Sequence, residues 1–204
     1  MGWTSYNAKY YTRKGTVDRK RECDAYWLEG LNSGHFNVIR STMVGSTYYA
    51  AVQPIQRRIG EDESGNSIYE NIPEDQRETF GVVMLTKTDM KDYFNFYYKE
   101  MTEDVGPYES KCPKSILDIL SPTESEYALA WRQRCIDYAN TKGMRNLPIG
   151  TIIEFEKHDG TTVRLIKCAP QYQFKTAWWK FVNERKYFQK KDIPWDKVRI
   201  IENI

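Results

Sequence analysis

The chain has 204 residues, of which 40% are hydrophobic, 28% charged and 14% aromatic, and its formal net charge is +2. A chain of this length buries roughly 70% of its unfolded surface on folding, so its stability does not require a metal ion or a disulfide. No stretch approaches 18 consecutive apolar residues, which excludes a transmembrane helix.

Cysteine usage and the N-terminal sequence both favour a cytoplasmic protein. The four cysteines form no C-x-x-C pair and have no suitably spaced histidine, which argues against a structural zinc site and for reduced thiols. The opening MGWTSYNAKYY has no apolar run typical of a signal peptide. Tyr6 also breaks the myristoylation pattern. We therefore expect a soluble cytoplasmic protein without a membrane anchor.

The small net charge conceals a polarised distribution. Residues 1–58 carry +5, residues 59–125 carry −9, residues 126–162 are neutral and residues 163–204 carry +6. Blocks of like charge usually lie in solvated loops. The alternative interpretation is that they form an electrostatic binding face.

The N-terminal part of the chain predicts a strand followed by a helix. Residues 2–11 are rich in aromatic residues and threonine, which favours a strand. Asp18 is a suitable N-cap for a helix in which Cys23, Tyr26 and Trp27 lie at helical spacing.

The next segments predict two paired strands. Residues 46–55 alternate as a strand does, and residues 80–85 are apolar on both faces, as in a central strand. We expect these strands to pair, joined by a long acidic loop or ribbon. In residues 91–101, aromatic residues four positions apart favour a helix packed on the sheet, although their density also permits a strand.

Two further helices are predicted before residue 143. Residues 112–122 form a short helix with Pro113 in its first turn. Thr123 and Glu126 form a capping box for a longer helix. Its predicted buried stripe has helical spacing and consists of Tyr127, Trp131, Cys135 and Tyr138.

From Gly150 the hydrophobic pattern changes to a period of two. A hairpin is predicted around Asp159 and Gly160, and a second hairpin, a tight turn and a last strand follow. Five short strands with a turn before the fifth resemble an SH3-like small barrel. The predicted fold is therefore α+β: a mixed sheet with packed helices over 1–143, a linker over 144–149 and an SH3-like β-barrel over 150–204.

The motifs of common catalytic and metal sites are missing from the sequence. It contains no phosphate-binding loop, no G-x-G-x-x-G, no nucleophile elbow and no H-E-x-x-H. His35 has no evident partner for acid–base catalysis, and Cys23 is explained by burial on its helix. We expect no catalytic residues, no metal and no cofactor. A hydrolase built on dispersed carboxylates would leave no such motif and stays an alternative.

The C-terminal tryptophans are adjacent and cannot both point into one small barrel. In an extended strand Trp179 and Phe181 face one side, whereas Trp178 and Lys180 face the other. The outward indole either stacks on a base or packs against the first domain. The predicted nucleic-acid or partner surface combines both tryptophans with nearby cations: Lys175, Trp178, Trp179, Lys180, Arg185, Lys186, Lys190 and Lys191.

Several segments resemble a family of uncharacterised proteins carried by phages and conjugative elements of Gram-positive and gut bacteria. The resemblance covers nearly the whole chain and implies a mobile-element setting, but it implies no activity and no functional residues. The similar strings are MGWTSYNAKYYTRKGTVDRKRECD, STMVGSTYYAAV, DYFNFYYKEMTEDVGPYESKCPKSILDIL, LPIGTII and QFKTAWW.

Three functions are compatible with these features. The first is a non-catalytic binding protein of a mobile element that contacts nucleic acid through the basic aromatic C-terminal surface. The second is an inhibitor of a host defence nuclease, of the anti-CRISPR or anti-restriction type, which would use an acidic loop containing Glu61, Asp62 and Glu63. The third is the metal-dependent hydrolase with dispersed carboxylates.

Overall fold

The structure is a computed structural model that describes residues 2–29, 34–89, 95–142, 146–172, 174, 176–195 and 197–202, without the side chains of Lys191 and Glu202. The chain forms two compact units, Met1–Ile136 and Asp137–Ile204. Residues 144 and 145 of the predicted linker lie outside the described residues, so the bounds of that linker stay a prediction.

The first unit is built on a five-stranded sheet. Its strands are β1 (Thr4–Asn7), β2 (Phe36–Val44), β3 (Thr47–Pro54), β6 (Phe80–Asp89) and β7 (Asn95–Thr102), in the order β1-β7-β6-β3-β2. All four pairings are antiparallel, so the whole sheet is antiparallel. The sequence analysis predicted a mixed sheet instead. The predicted pairing of β3 with β6 is confirmed, and β2 is a strand that the sequence pattern did not predict.

The acidic segment between β3 and β6 is a ribbon. It contains β4 (Gln56–Glu61) and β5 (Ser67–Asn71), which pair only with each other among the described strands. This confirms the predicted excursion between the two paired strands.

The preferred helix at residues 91–101 is wrong. Residues 90–94 lie outside the described residues, and Asn95–Thr102 form β7, which pairs with both β1 and β6. Phe96, Tyr98 and Met101 are buried in it. The spacing of four also places residues on one face of a strand, because four is a multiple of two. The sequence pattern therefore fitted both structures, and strand pairing decided between them.

Helices cover both faces of this sheet. Helix α1 (Arg19–Glu29) contributes Cys23 and Trp27 to a core cluster with Tyr48, Val82 and Phe96. On the opposite face, α2 (Lys114–Leu117) and α3 (Glu126–Asn140) pack against the sheet. Trp131 of α3 lies directly on Gly81, where an added Cβ would come within 2.8 Å of the indole.

Two details of α3 differ from the sequence prediction. The side chain of Ser125 accepts a hydrogen bond from Ala128 N at 3.4 Å, so Ser125 caps the helix in place of Thr123. The buried stripe consists of Ala128, Trp131 and Cys135, whereas Tyr127 is 68% exposed. The predicted N-cap of α1 is confirmed, since Arg21 N donates to Asp18 Oδ1 at 3.1 Å.

The second unit contains a five-stranded antiparallel sheet. The strands are β8 (Ile152–Glu156), β9 (Thr162–Cys168), β10 (Trp178–Phe181), β11 (Tyr187–Phe188) and β12 (Arg199–Glu202), with a 3₁₀ turn at Lys190–Asp192. Their order is β11-β10-β9-β8-β12. Both predicted hairpins are confirmed. No described strand pair joins β11 to β12, so closure into an SH3-like barrel stays a prediction.

Three of the four free cysteines are buried: Cys23, Cys112 and Cys135. Burial raises the pKa of the Cys135 thiol from 9.0 to about 11, and it also raises the pKa of Cys23 and Cys112. These thiols therefore stay protonated in the folded protein at neutral pH. None of the described helices is both long and apolar enough to span a membrane.

The raised thiol pKa predicts a loss of stability in alkaline solution. Below pH 9 the Cys135 thiol is protonated in both the folded and the unfolded chain, so its full contribution to the free energy of unfolding is present. Between pH 9 and about 11 the unfolded chain loses this proton while the folded chain keeps it, so the free energy of unfolding falls. Urea unfolding below and within this window measures the loss. Cys135→Ala should show a smaller loss over the same window, and an unchanged loss would contradict the assignment.

Candidate functional site

Strand β10 separates the two adjacent tryptophans. Trp179 is fully buried and belongs to the core cluster of the second unit with Leu165 and Trp195. Trp178 is half-buried on the opposite face, as strand alternation predicted. The sequence left open which indole points outward, and the structure assigns that place to Trp178.

Trp178 lies in a cluster of rings on this outer face. Phe174 stacks on it with ring centroids 4.9 Å apart and planes 19° apart, and Phe174 also contacts Tyr187 at 5.6 Å. The indole N–H of Trp178 donates to Ala169 O at 2.9 Å, which fixes the orientation of the ring. We call Phe174, Trp178 and Tyr187 the aromatic surface. Tyr187 is 54% exposed, so the cluster is accessible.

Lys180 adjoins the aromatic surface, and three other predicted cations are exposed nearby in the chain. Lys180 lies on the Trp178 face of β10, directly opposite Tyr187 of β11. Lys186 precedes Tyr187 and is 82% exposed, with Nζ 3.6 Å from Glu184. Arg185 and Lys190 are also exposed. Of the predicted cations, Lys180 lies beside these rings, Arg185, Lys186 and Lys190 are exposed in the segments next to β11, and Lys175 and the side chain of Lys191 lie outside those described.

Lys167 of β9 pairs with Trp179 and therefore lies on the face opposite to the aromatic surface. Its Nζ donates to Leu147 O at 2.5 Å. Burial lowers the pKa of Lys167, and the positive charge of Lys190 lowers it further. The positive charges of Lys167 and Lys190 are therefore close enough to repel each other.

An open groove of about 800 Å³ adjoins Lys186 on the second unit. Its charged lining consists of Lys157, Arg164 and Lys186 together with Glu154 and Glu184. Glu154 forms an ion pair with Arg164 at 2.6 Å. The groove is therefore charged but partly neutralised.

Two of the three acidic residues at the tip of the β4–β5 ribbon have local partners. Glu61 pairs with Arg58. Asp62 accepts hydrogen bonds from Ser64 N at 2.9 Å and Asn66 N at 2.8 Å, and the side-chain hydrogen bond from Asn66 is the main reason that its pKa is lowered. Glu63 is exposed at the same tip. Local structure thus accounts for two of the three acidic residues assigned to the alternative function.

The other residues considered for metal binding or catalysis are not brought together in the described part of the structure. Within the described residues, no three His, Cys, Asp or Glu side chains could hold a metal ion. His35 stacks on Tyr69 with centroids 4.1 Å apart, and its Nδ1 lies 2.7 Å from Gln56 Oε1. These contacts are structural, so the described side chains give the hydrolase alternative no specific support.

Comparison with known proteins adds one partial match. Residues 122–168 match the model of a domain of unknown function, DUF6927. The matched segment includes all of α3 and the β8–β9 hairpin, and it ends before the aromatic surface. No curated protein and no solved structure shows significant similarity to the chain.

Proposed function

We propose that the chain is a non-catalytic nucleic-acid-binding protein of a mobile genetic element. It contacts nucleic acid through the aromatic surface and the neighbouring cations of the second unit. The observation that carries this proposal is the half-exposed stack of Phe174 and Trp178 beside Tyr187 and Lys180. The mobile-element setting comes from the sequence resemblance.

Each part of this surface has a specific role in the proposal. An unpaired base extends the stack of rings, because every base offers a π-face to an aromatic side chain. Lys180 and Lys186 attract phosphates and release counterions from them. Single-stranded DNA or RNA fits better than a duplex, since bases inside a duplex are already stacked.

The SH3-like architecture and the cytoplasmic location belong to the same proposal. The order β11-β10-β9-β8-β12 places the last strand of the unit beside its first, and a 3₁₀ turn precedes that last strand. This order supports a small SH3-like barrel. The four free thiols support a reducing compartment.

A fluorescence anisotropy titration with single-stranded DNA, duplex DNA and RNA at low salt tests the proposal. We expect micromolar binding of single strands. Trp178→Ala should weaken it roughly 5- to 150-fold, because stacking contributes about 1–3 kcal/mol per base. Lys180→Ala should reduce the slope of log affinity against log salt by about 1.

The matched control is Tyr127→Ala, which removes an aromatic ring that is 68% exposed in the first unit. This variant should bind as the wild type does. An equal loss in Tyr127→Ala and Trp178→Ala would refute the assignment of the surface, and no binding by the wild type at micromolar protein would refute nucleic-acid binding itself. Pull-down of a defence nuclease would then test the inhibitor function.

A further inference from the structure

A pocket of about 340 Å³ lies on the first unit, between α1 and the sheet edge formed by β1. The segment Thr4–Asn7 forms one wall, and Glu22, Tyr26 and Glu29 of α1 form the other, with Tyr98 of β7 between them. Glu22, Tyr26 and Glu29 share one face of the helix because they are four and three residues apart. The volume falls within the range of small-molecule sites.

Three tyrosine rings line this pocket, those of Tyr6, Tyr26 and Tyr98. Tyr98 contacts Tyr26 at 4.9 Å and Tyr6 at 6.0 Å between ring centroids, so the three phenols form a continuous wall. The Tyr26 hydroxyl donates to Glu100, which lines an adjoining cavity that shares Thr4, Tyr26 and Tyr98. The faces of such rings carry negative electrostatic potential and attract cations.

Glu22 provides a buried negative charge beside the rings. It is fully buried and accepts hydrogen bonds from Lys9 N at 2.5 Å, Tyr10 N at 2.6 Å and Tyr6 Oη at 2.9 Å. All three donors are neutral. Within the part of the chain that the structure describes, no lysine or arginine forms an ion pair with Glu22. Its hydrogen bonds are satisfied, but its charge is not neutralised.

The other fully buried glutamate of this unit shows the usual arrangement. Glu103 has two hydrogen bonds from the guanidinium of Arg132, at 2.6 and 2.7 Å. The pocket around Glu22 instead adds a second carboxylate, Glu29, which is exposed and accepts a hydrogen bond from Tyr10 Oη at 2.8 Å. Lys9 is the lysine that lines the pocket, so carboxylates outnumber cations there.

We propose that this pocket binds a small organic cation that carries an ammonium group. The ammonium group lies against the rings of Tyr6, Tyr26 and Tyr98, and Glu29 contacts it at the mouth. The buried charge of Glu22, in the wall of the pocket, adds to the attraction. This site is independent of the proposed nucleic-acid surface, which lies on the other unit.

Titration of the full-length protein with choline, followed by amide chemical shifts, tests this site. We expect saturable shifts at Tyr6, Lys9 and Tyr26. The neutral isostere 3,3-dimethylbutan-1-ol, which has the shape of choline without its charge, should bind roughly 2- to 30-fold more weakly. Equal binding of the two compounds, or no saturable shift at these amides, would overturn the proposal.

Two variants separate binding from folding. Glu29→Gln changes an exposed side chain and should weaken choline binding without loss of structure. Tyr98→Leu removes the central ring and should weaken it further. The control Glu63→Gln removes an exposed carboxylate at the tip of the β4–β5 ribbon and should leave binding unchanged. If Glu29→Gln and Tyr98→Leu both bind choline as the wild type does, the pocket is not a cation site.

Discussion

Arg132→Ala is expected to lower the free energy of unfolding of the first unit by about 3–5 kcal/mol. Arg132 donates to both oxygens of Glu103, at 2.6 Å from Nε and 2.7 Å from Nη2. The Glu103 side chain is 2% exposed, so the substitution leaves an unpaired charge in the protein interior. Burying an unpaired carboxylate costs far more than losing an exposed ion pair.

The position of this ion pair adds to the effect. Glu103 Oε1 also accepts a hydrogen bond from Gly81 N of β6 at 2.9 Å, and Arg132 Nη1 donates to Ser121 O at 2.8 Å. Arg132 thus connects α3 to the central strand of the sheet and to the segment that follows α2. The substitution removes both connections together.

Urea unfolding followed by circular dichroism measures this effect. The double variant Arg132→Ala with Glu103→Gln keeps an acceptor for Gly81 N but carries no buried charge, so it should be more stable than Arg132→Ala alone. Lys114→Ala is the matched control, because its ion pair with Asp118 is exposed and is worth at most about 1 kcal/mol. If the double variant is no more stable than Arg132→Ala, the unpaired charge is not the cause.

Trp179→Ala is expected to destabilise the second unit by about 3–5 kcal/mol, the usual cost of deleting a buried tryptophan. Trp179 is fully buried, packs edge-on against Trp195 at 5.8 Å, and lies in the core with Ile153, Phe155 and Leu165. A unit of this size has few other large side chains to maintain its core. The loss is comparable to the whole stability of a small domain.

Hydrogen exchange of amides in β8, β9 and β10 measures this prediction, because it reports the second unit separately from the first. Trp179→Phe should cost less than Trp179→Ala, since no described group accepts a hydrogen bond from the Trp179 indole N–H. Trp178→Ala is the matched control and should leave the core amides protected. Equal loss of protection in Trp178→Ala and Trp179→Ala would contradict the division of roles between the two residues.

The same pair of variants also bears on function. Trp178→Ala removes a ring of the aromatic surface while the core stays intact, so a loss of nucleic-acid binding in that variant reports the surface itself. A loss of binding in Trp179→Ala reports unfolding. Only the combination of a folded Trp178→Ala variant and weaker binding supports the proposed function.

Local patterns were sufficient for much of the second unit. The Asp159–Gly160 step predicts the β8–β9 turn, and Gly160 has the positive φ of 78° that such a turn requires. The alternation of side chains along an extended strand is enough to place Trp178 and Trp179 on opposite faces of β10. These features depend on neighbouring residues only, and local backbone geometry is what a sequence pattern encodes.

The first unit was harder to predict because strands distant in sequence decide it. Large side chains in the β7 region recur every four residues, a spacing that suits either a helix or a strand. The segment is a strand because β1 and β6 pair with its two edges. Tyrosines of the sheet donate hydrogen bonds to carboxylates of α1: Tyr6 to Glu22 and Tyr48 to Asp24. The sequence of α1 does not indicate these hydrogen bonds. Such contacts join residues 16 and 24 positions apart.

The sequence by itself determined the α+β class, the two hairpins of the second unit, the alternation of its tryptophans and the basic character of its C-terminal segment. Only the tertiary structure decided which indole points outward, that Phe174 and Tyr187 join it, and that Glu22 and three tyrosines surround a pocket. The physical reason is that periodicity fixes which side chains share a face. Which face is buried, and which distant residues meet there, depends on how the elements pack against each other. The periodicity of a single segment carries no information about that packing.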